Sequence, residues 1–266
     1  MADRSFDPHR FHSTVPFYAR YRVPYPAELI AFVADHVALP AGGAVLDLGT
    51  GPGLLATAFA GLGFRVTAMD PEPAMLEAAG QYAAEAGVTV ALLRGSSFDL
   101  DPTAGSFDLV TMGRSFHWMD RQATLATLDR MVTPTGAVVL FGDRRIPSPG
   151  QDWRAVIEAL VETYAPDAIR DRRRRRTEAR HETVLAASAF SRLEHYGIVV
   201  SRTVDIDAVV GRTLSMSGTS PAVLGDRREA FEAELRRALA ALSPTGTFQE
   251  LVETKALIAR RPAHSP

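Results

Sequence analysis

The chain of 266 residues lacks cysteine and contains one lysine, Lys255, among its 29 basic residues. The absence of cysteine excludes disulfides, thiolate metal ligands and a cysteine nucleophile, and we predict no metal site. The formal net charge of −2 leaves no global basic field, so we expect no nucleic-acid partner.

Long apolar runs are also missing. No run approaches the length of a membrane span, and the first ten residues, MADRSFDPHR, contain no apolar signal segment. We therefore expect a soluble, cytoplasmic protein with no membrane partner. The composition leaves the oligomeric state open.

Residues 45–53, VLDLGTGPG, combine a short apolar run with a glycine-rich turn. A buried strand that ends in such a turn before a helix is typical of a nucleotide-type site, because glycine lets the backbone pass close to a ligand at positive φ. The next apolar stretch ends in Asp70, whose carboxylate can accept both hydroxyls of a ribose.

The spacing of Gly49, Gly51 and Gly53 differs from the dinucleotide fingerprint G-x-G-x-x-G/A, which would need glycine or alanine at Leu54. No Lys-Ser/Thr pair follows to form a phosphate loop. A Rossmann-like domain that binds NAD, or no nucleotide, is the alternative interpretation of this turn.

Apolar periodicity predicts strands that alternate with helices, which indicates an α/β fold with a doubly wound, mostly parallel sheet. Ligands of such sheets bind beyond the carboxyl ends of the strands. The predicted strands are 44–48, 65–69, 88–93, 109–112, 137–141, 197–206 and 254–259, and the predicted helices are 26–37, 54–62, 73–86, 123–131, 153–164 and 227–242.

The glycine turn and Asp70 occur together with SFDLV at 106–110, SFHW at 115–118 and PTGAVVLF at 134–141. This set resembles the motifs of the class I S-adenosylmethionine-dependent methyltransferases, in the methyltransferase type 11 group, with a looser likeness to the trans-aconitate methyltransferase branch. The resemblance covers residues 15–145 well and the tail more weakly. It implies a Rossmann-like sheet with an antiparallel C-terminal strand and a small acceptor-side lid.

The same resemblance implies a single methyltransferase domain over residues 1–266. Residues 1–43 would form N-terminal cap helices, 44–145 the donor-binding core, and 146–266 the acceptor lid and closing strands. The expected cofactor is S-adenosyl-L-methionine, which yields S-adenosyl-L-homocysteine, and the expected partner is a small-molecule acceptor.

The family places the methyl donor at the strand ends of the core. By this resemblance Asp47 orders the glycine loop, and Asp70 holds the ribose hydroxyls from a solvent-facing strand end. Many relatives carry Gly-Asp-Ala at the adenine, whereas this chain has GSSF at 95–98, so we expect serine hydroxyls and a phenyl ring there. The expected cofactor-binding residues are Asp47, Gly49, Thr50, Gly51, Gly53, Asp70, Pro71, Ser96, Ser97, Phe98, Arg114, Tyr18, Tyr21 and Arg22.

Residues 17–26, FYARYRVPYP, resemble the N-terminal cap pattern Tyr-x-x-x-Arg-Pro-x-Tyr-Pro, with Val23 as an interruption. Aromatic faces near a sulfonium are favourable, so these side chains would cover the donor and reach its carboxylate. The alternative is a surface helix that only packs on the domain. The residues concerned are Tyr18, Tyr21, Arg22 and Tyr25.

His117, beside Trp118, follows the fourth predicted strand on the expected acceptor side. An imidazole with a pKa near neutrality can deprotonate an acceptor hydroxyl, so His117 is the candidate catalytic base. The alternative is that it only hydrogen-bonds the backbone. His181 and His195 are weaker candidates.

Arg170 and Arg172–Arg176 form the densest cluster of charge. A guanidinium group can donate two hydrogen bonds to one carboxylate or phosphate. The side chains of consecutive residues in a helix, however, point in all directions around its axis. We therefore predict that most of these arginines are solvated.

These observations predict an enzyme that transfers a methyl group to a small molecule, by O-methylation in secondary metabolism. One alternative is a carboxyl methyltransferase that acts on a small organic acid. Another is a module that binds the donor without methyl transfer, as a cyclase or regulator.

Overall fold

The computed structural model describes residues 11–147, 153–175 and 179–262, and for residues 171–175 it describes only the backbone. It contains a seven-stranded sheet of order β3-β2-β1-β4-β5-β7-β6. The pairs among β1 to β5 are parallel, and the C-terminal strands are antiparallel. This confirms the predicted Rossmann-like fold. The strands are β1 Ala44–Leu48, β2 Arg65–Asp70, β3 Ala91–Arg94, β4 Phe107–Gly113, β5 Val132–Arg145, β6 Arg192–Asp205 and β7 Thr247–Arg260.

Helices alternate with the first five strands and then dominate the second half of the chain. Short 3₁₀ turns lie between them, including Ser97–Asp99 and Phe116–Trp118. The α-helices are α1 Val15–Tyr21, α2 Ala27–His36, α3 Leu54–Gly61, α4 Pro73–Glu85, α5 Arg121–Leu128, α6 Trp153–Tyr164, α7 Pro166–Arg175, α8 His181–Ala186, α9 Ile206–Leu214, α10 Pro221–Leu224 and α11 Arg228–Leu242. Among the described residues, no helix is long and apolar enough to cross a lipid bilayer.

The chain divides into two units. The sheet unit consists of Pro24–Arg144, Ala179–Ile198 and Glu253–Pro266, and the helical unit consists of Met1–Val23, Arg145–Glu178 and Val199–Val252. The predicted organisation into a cap, a core and a lid stays a prediction.

The sheet unit is built around strands that are buried on both faces, which explains the continuous apolar run of β1. Val45 packs with Leu109 in one core cluster, whereas Leu46 and Leu48 pack with Val110 in another. Successive side chains of a strand point to opposite faces, so one strand serves two cores.

The register of the strands aligns their carboxyl ends. Leu48 of β1 pairs with Met69 of β2, and Asp70 pairs with Arg94 of β3. On the other side of β1, Asp47 pairs with Thr111 of β4. The order β3-β2-β1-β4 reverses direction at β1, so a crevice for a ligand is expected beyond β1 and β4.

The helical unit has its own core, which includes Leu214, Phe231 and Leu235. Helix α1 contacts α9, where a side chain at Gly211 would overlap the ring of Tyr21. The absence of a Cβ at Gly211 is therefore what lets the two helices approach.

Several predicted boundaries are wrong. Strand β3 begins at Ala91 instead of Val88, because the Val88 amide donates to the carbonyl of Ala83 and prolongs the turn after α4. Helix α5 begins two residues earlier than predicted, because the Asp120 carboxylate accepts from the amide of Ala123 and caps it.

The later strands are longer than predicted. Strand β6 begins at Arg192 instead of Gly197, and its polar first residues suit the last strand at the edge of the sheet. Strand β7 begins at Thr247 instead of Thr254.

Candidate functional site

The glycine loop between β1 and α3 has an unusual backbone. Gly49, Gly51 and Gly53 have φ values of +71°, +55° and +79°. A Cβ at Gly49 would lie 2.6 Å from Cβ of Ser115, and a Cβ at Gly53 would lie 2.9 Å from Cβ of Ala79. The first and third glycines are thus required by packing inside the sheet unit as well as by their backbone angles.

The amides of this loop are used inside the protein. Gly49 and Thr50 donate to the carbonyl of Met69, Gly53 donates to that of Thr50, and Gly51 donates to Oδ2 of Asp70. Phosphate loops need a row of N–H groups that point at the ligand. The loop offers no such row at these four residues, which argues against a pyrophosphate ligand such as NAD.

Asp47, at the end of β1, is buried beneath the loop. The hydroxyl of Thr50 donates to its Oδ2 at 2.6 Å, and the hydroxyl of Thr111 donates to its Oδ1 at 2.8 Å. Burial raises the pKa of Asp47 to about 6, although these hydroxyls favour the ionised form. Asp47 is thus an internal support of the loop.

Asp70, at the end of β2, is buried, with 8% of its surface exposed. The prediction of a solvent-facing carboxylate is therefore wrong. Oδ2 accepts from the amide of Gly51 at 2.9 Å, and Oδ1 accepts from the amide of Glu72 at 3.0 Å. Burial raises the pKa of Asp70, and the two amides oppose this. Each oxygen retains a second lone pair, so the carboxylate can still accept two hydroxyls.

Pro71 and Glu72 continue this strand end into α4. Pro71 is half-buried and Glu72 is buried, and Oε1 of Glu72 accepts from the amide of Ala74 at 3.2 Å, which caps α4. The cap fixes the backbone that follows Asp70.

The loop after β3 differs from the predicted arrangement of serine acceptors. The hydroxyl of Ser96 donates to Oδ2 of Asp99 at 2.7 Å, and the amide of Phe98 donates to that hydroxyl at 3.2 Å. Ser96 is thus engaged in a cap of the 3₁₀ turn, and its bonds lower the pKa of Asp99. Phe98 exposes 61% of its surface, and Ser97 is half-buried.

Arg114 follows β4 with a φ of +57°, which a non-glycine residue rarely adopts. Its guanidinium bonds Asp143, with 2.7 Å between Nε and Oδ2, and lies 4.5 Å from the ring centroid of Tyr25. Tyr25 is buried, and a side chain at Gly113 would lie 2.7 Å from its hydroxyl. The structure thus holds Arg114 and Tyr25 together at the end of β4.

His117 and Trp118 lie in the 3₁₀ turn after β4, with their ring centroids 4.7 Å apart. Both are half-buried. His181 packs edge-on against Phe116 of the same turn, at 5.2 Å between centroids. His195 lies 3.7 Å from Oε1 of Glu182 and is not placed with this turn by any described contact.

Three of the predicted cap residues, Tyr18, Tyr21 and Arg22, belong to the helical unit, whereas Tyr25 belongs to the sheet unit. Nε of Arg22 donates to Oγ of Ser215 at 3.1 Å, and its guanidinium lies 4.5 Å from the ring centroid of Tyr18. Tyr21 packs at Gly211. Their contact with a donor stays a prediction.

Arg170 and Arg172–Arg175 of the predicted charge run lie in α7. Arg170 pairs with Asp167 and is exposed, as predicted for a solvated residue. For Arg172–Arg175 the structure describes only the backbone, and Arg176 lies outside the described residues.

Four residues of the site had not been predicted from sequence: Thr111, Ser115, Glu72 and Asp99. Thr111 is a buried polar residue in an apolar strand, and Ser115 donates to the carbonyl of Leu48 at 2.8 Å. Glu72 precedes a proline at the first turn of a helix, and Asp99 follows Ser96 by three residues, both of which are capping signals.

Comparison with known proteins adds to this geometry. Residues 45–136 match the family model described as "Methyltransferase domain". An uncharacterized methyltransferase of Mycobacterium bovis is 35% identical over 163 residues, which is 61% of this chain and 62% of that protein. The chain thus spans less than two thirds of that relative.

Two further proteins are similar over different lengths. A ubiquinone biosynthesis O-methyltransferase of Xanthomonas axonopodis pv. citri is 39% identical over 41% of this chain and 46% of its own length. A solved structure of a SAM-dependent methyltransferase from Thiobacillus denitrificans, in complex with S-adenosyl-L-homocysteine, has a TM-score of 0.52 and 17% identity. It covers 96% of this chain and 99% of its own, and at this identity it supports the fold.

Proposed function

We propose that this chain, which belongs to the class I S-adenosylmethionine-dependent methyltransferases, transfers a methyl group to a hydroxyl of a small-molecule acceptor. The observation that carries the proposal is the meeting of the glycine loop, Asp70 and the turn of His117 at one edge of the sheet unit. The ubiquinone biosynthesis O-methyltransferase supports the choice of oxygen, and the sequence resemblance alone supports secondary metabolism.

The residues at this edge fit an adenosine ligand that carries no phosphate. Asp70 has lone pairs for two ribose hydroxyls, and the loop amides are already satisfied. We propose that Asp70 holds the ribose, that Gly49 to Gly53 pass beneath the donor, and that Phe98 covers the adenine. Pro71, Ser96, Ser97 and Arg114 would line the same site.

S-adenosylmethionine, when bound, supplies a methyl group that its sulfonium has already activated. The task left to the chain is to hold an acceptor in line and to exclude water, which alone accounts for large rate accelerations. An acceptor hydroxyl must also lose its proton. We propose that His117 takes this proton, because it lies beyond the end of β4.

This function is tested by the conversion of S-adenosylmethionine to S-adenosylhomocysteine with a panel of phenols, alcohols and carboxylic acids. We expect a phenol or alcohol to be methylated and its ether to resist mild alkali. A methyl ester, which mild alkali hydrolyses, would instead identify a carboxyl methyltransferase.

The role of His117 is tested by His117→Ala, with His195→Ala as the matched control. Loss of a base within reach of the hydroxyl should lower turnover by about 10²–10⁴-fold, with unchanged donor affinity and partial recovery at high pH. The control should retain its turnover. Equal turnover of both variants would assign His117 a structural role.

A further inference from the structure

A buried carboxylate lies among three arginines in the helical unit. Oε1 of Glu250 accepts from Nη2 of Arg154 at 2.8 Å, and Oε2 accepts from Nε of Arg202 at 2.8 Å and Nη1 of Arg212 at 2.6 Å. Glu250 is almost fully buried. One negative charge therefore faces three positive charges, and the cluster has an excess of positive charge.

Some hydrogen-bond donors of this cluster have no partner. Among the described residues, the indole Nε1 of Trp153 and both Nε and Nη1 of Arg154 are buried and make no hydrogen bond. Trp153 exposes 3% of its surface, and the guanidinium of Arg154 lies 4.7 Å from its ring centroid. Buried donors are rarely left unsatisfied, because each costs free energy that a ligand can recover.

The two residues that carry these donors line a cavity. It is partly open to solvent. Both Trp153 and Arg154 line it, with Arg145, Arg212 and one acidic residue, Glu158. Two of these arginines, Arg154 and Arg212, also pair with Glu250, so three arginines face two glutamates and an excess of positive charge remains.

We propose that this cavity binds a small molecule through a carboxylate or phosphate group, which accepts hydrogen bonds from the indole of Trp153 and the guanidinium of Arg154. An oxyanion satisfies several N–H donors at once, and a guanidinium matches its geometry. Burial lowers the pKa of Arg154, which Glu250 only partly opposes, so a second negative charge would stabilise its charged form. This inference goes beyond the proposed function, since the anion binds without a methyl donor.

The test is a fluorescence titration of the full chain in a Trp118→Phe background, where Trp153 is the one remaining tryptophan. The probes are inorganic phosphate and citrate at constant ionic strength, with glycerol as the uncharged control. We expect a saturable signal at roughly millimolar concentration or below for at least one anion, and none for glycerol. The stronger probe distinguishes a phosphate site from a carboxylate site.

Two variants locate the site. Arg154→Met should weaken anion binding about tenfold or more, because it removes two charged donors. Trp153→Phe, measured by calorimetry, keeps the aromatic packing and should weaken binding roughly threefold to tenfold. Arg236→Met is the matched control, since Arg236 pairs with Asp207 in the same unit and does not line the cavity.

The control should bind anions as the parent does. The conservative Trp153→Phe variant keeps the test decisive if Arg154→Met fails to fold. The proposal is overturned if neither anion gives a saturable signal, or if the folded variants bind as tightly as the control.

Discussion

Asp47 in the sheet unit and Glu250 in the helical unit are carboxylates with almost no exposed surface, 1% and 2% respectively. Their pKa values move in opposite directions. The pKa of Asp47 is raised to about 6, whereas that of Glu250 is lowered. The exposed fraction of the residue therefore does not by itself set the direction of the pKa shift.

The difference lies in the partners. Asp47 accepts hydrogen bonds from neutral hydroxyls, which do not outweigh its loss of water, whereas Glu250 accepts from three guanidinium groups that do. The hydroxyl groups around Asp47 hold the glycine loop and add no charge to it. The guanidinium groups around Glu250 create a basic region that can attract an anion.

The largest expected effect follows from loss of the negative charge of Glu250, which lies among Arg154, Arg202 and Arg212. Glu250→Gln should lower the free energy of unfolding by about 3–5 kcal/mol, because it leaves three half-buried guanidinium groups without their counter-charge. Glu253→Gln on the same strand is the control. Glu253 pairs with an exposed arginine, Arg144, so the expected loss in urea denaturation is much smaller. Equal losses would show that the cluster is not held by charge.

A second test concerns the pH dependence of Asp47. Because its folded-state pKa of about 6 exceeds the ordinary value of 3.8, the native state binds more protons between these values. The free energy of unfolding should therefore fall as pH rises from about 4 to 6, by about 3 kcal/mol at most. The Asp47→Asn variant should lack this contribution. The difference in free energy of unfolding between variant and parent should therefore change with pH between about 4 and 6. A constant difference would contradict the raised pKa.

The smallest expected effect on stability comes from removing the hydroxyl of a buried threonine, and two threonines can be compared. Thr111→Val removes a hydroxyl that donates to Asp47 and should cost about 1–2 kcal/mol, and it should raise the pKa of Asp47 further. In Thr57 the buried hydroxyl has no hydrogen-bond partner among the described residues. Thr57→Val should thus be neutral or slightly stabilising in thermal denaturation. A comparable loss in both variants would mean that the bond to Asp47 contributes nothing specific.

The two regions also differ in how far the sequence predicts them. The edge of the sheet unit that carries the glycine loop was predictable because its signals are local: Gly49, Gly51 and Gly53 adopt positive φ, and Asp70 ends an apolar strand. The burial of Asp70 was not predictable, since it depends on how the loop amide of Gly51 folds back onto β2.

The cluster around Glu250 has no local signal in the sequence. Its arginines lie at positions 154, 202 and 212, far apart in the chain, and no periodicity connects them with Glu250. The run at Arg172–Arg176 is the densest charge in the sequence, but the arginines that line the cavity are different ones, which are scattered through the helical unit. Tertiary packing alone brings such residues together.

The most direct test of the central claim is calorimetric titration of the full chain with S-adenosylhomocysteine and, separately, with NAD. We expect micromolar affinity for S-adenosylhomocysteine, about −8 kcal/mol, and no heat with NAD, because the amides of the glycine loop are already satisfied. Asp70→Asn should weaken S-adenosylhomocysteine at least about tenfold. Binding of NAD in place of S-adenosylhomocysteine, or an unchanged affinity in Asp70→Asn, would contradict this assignment of the site.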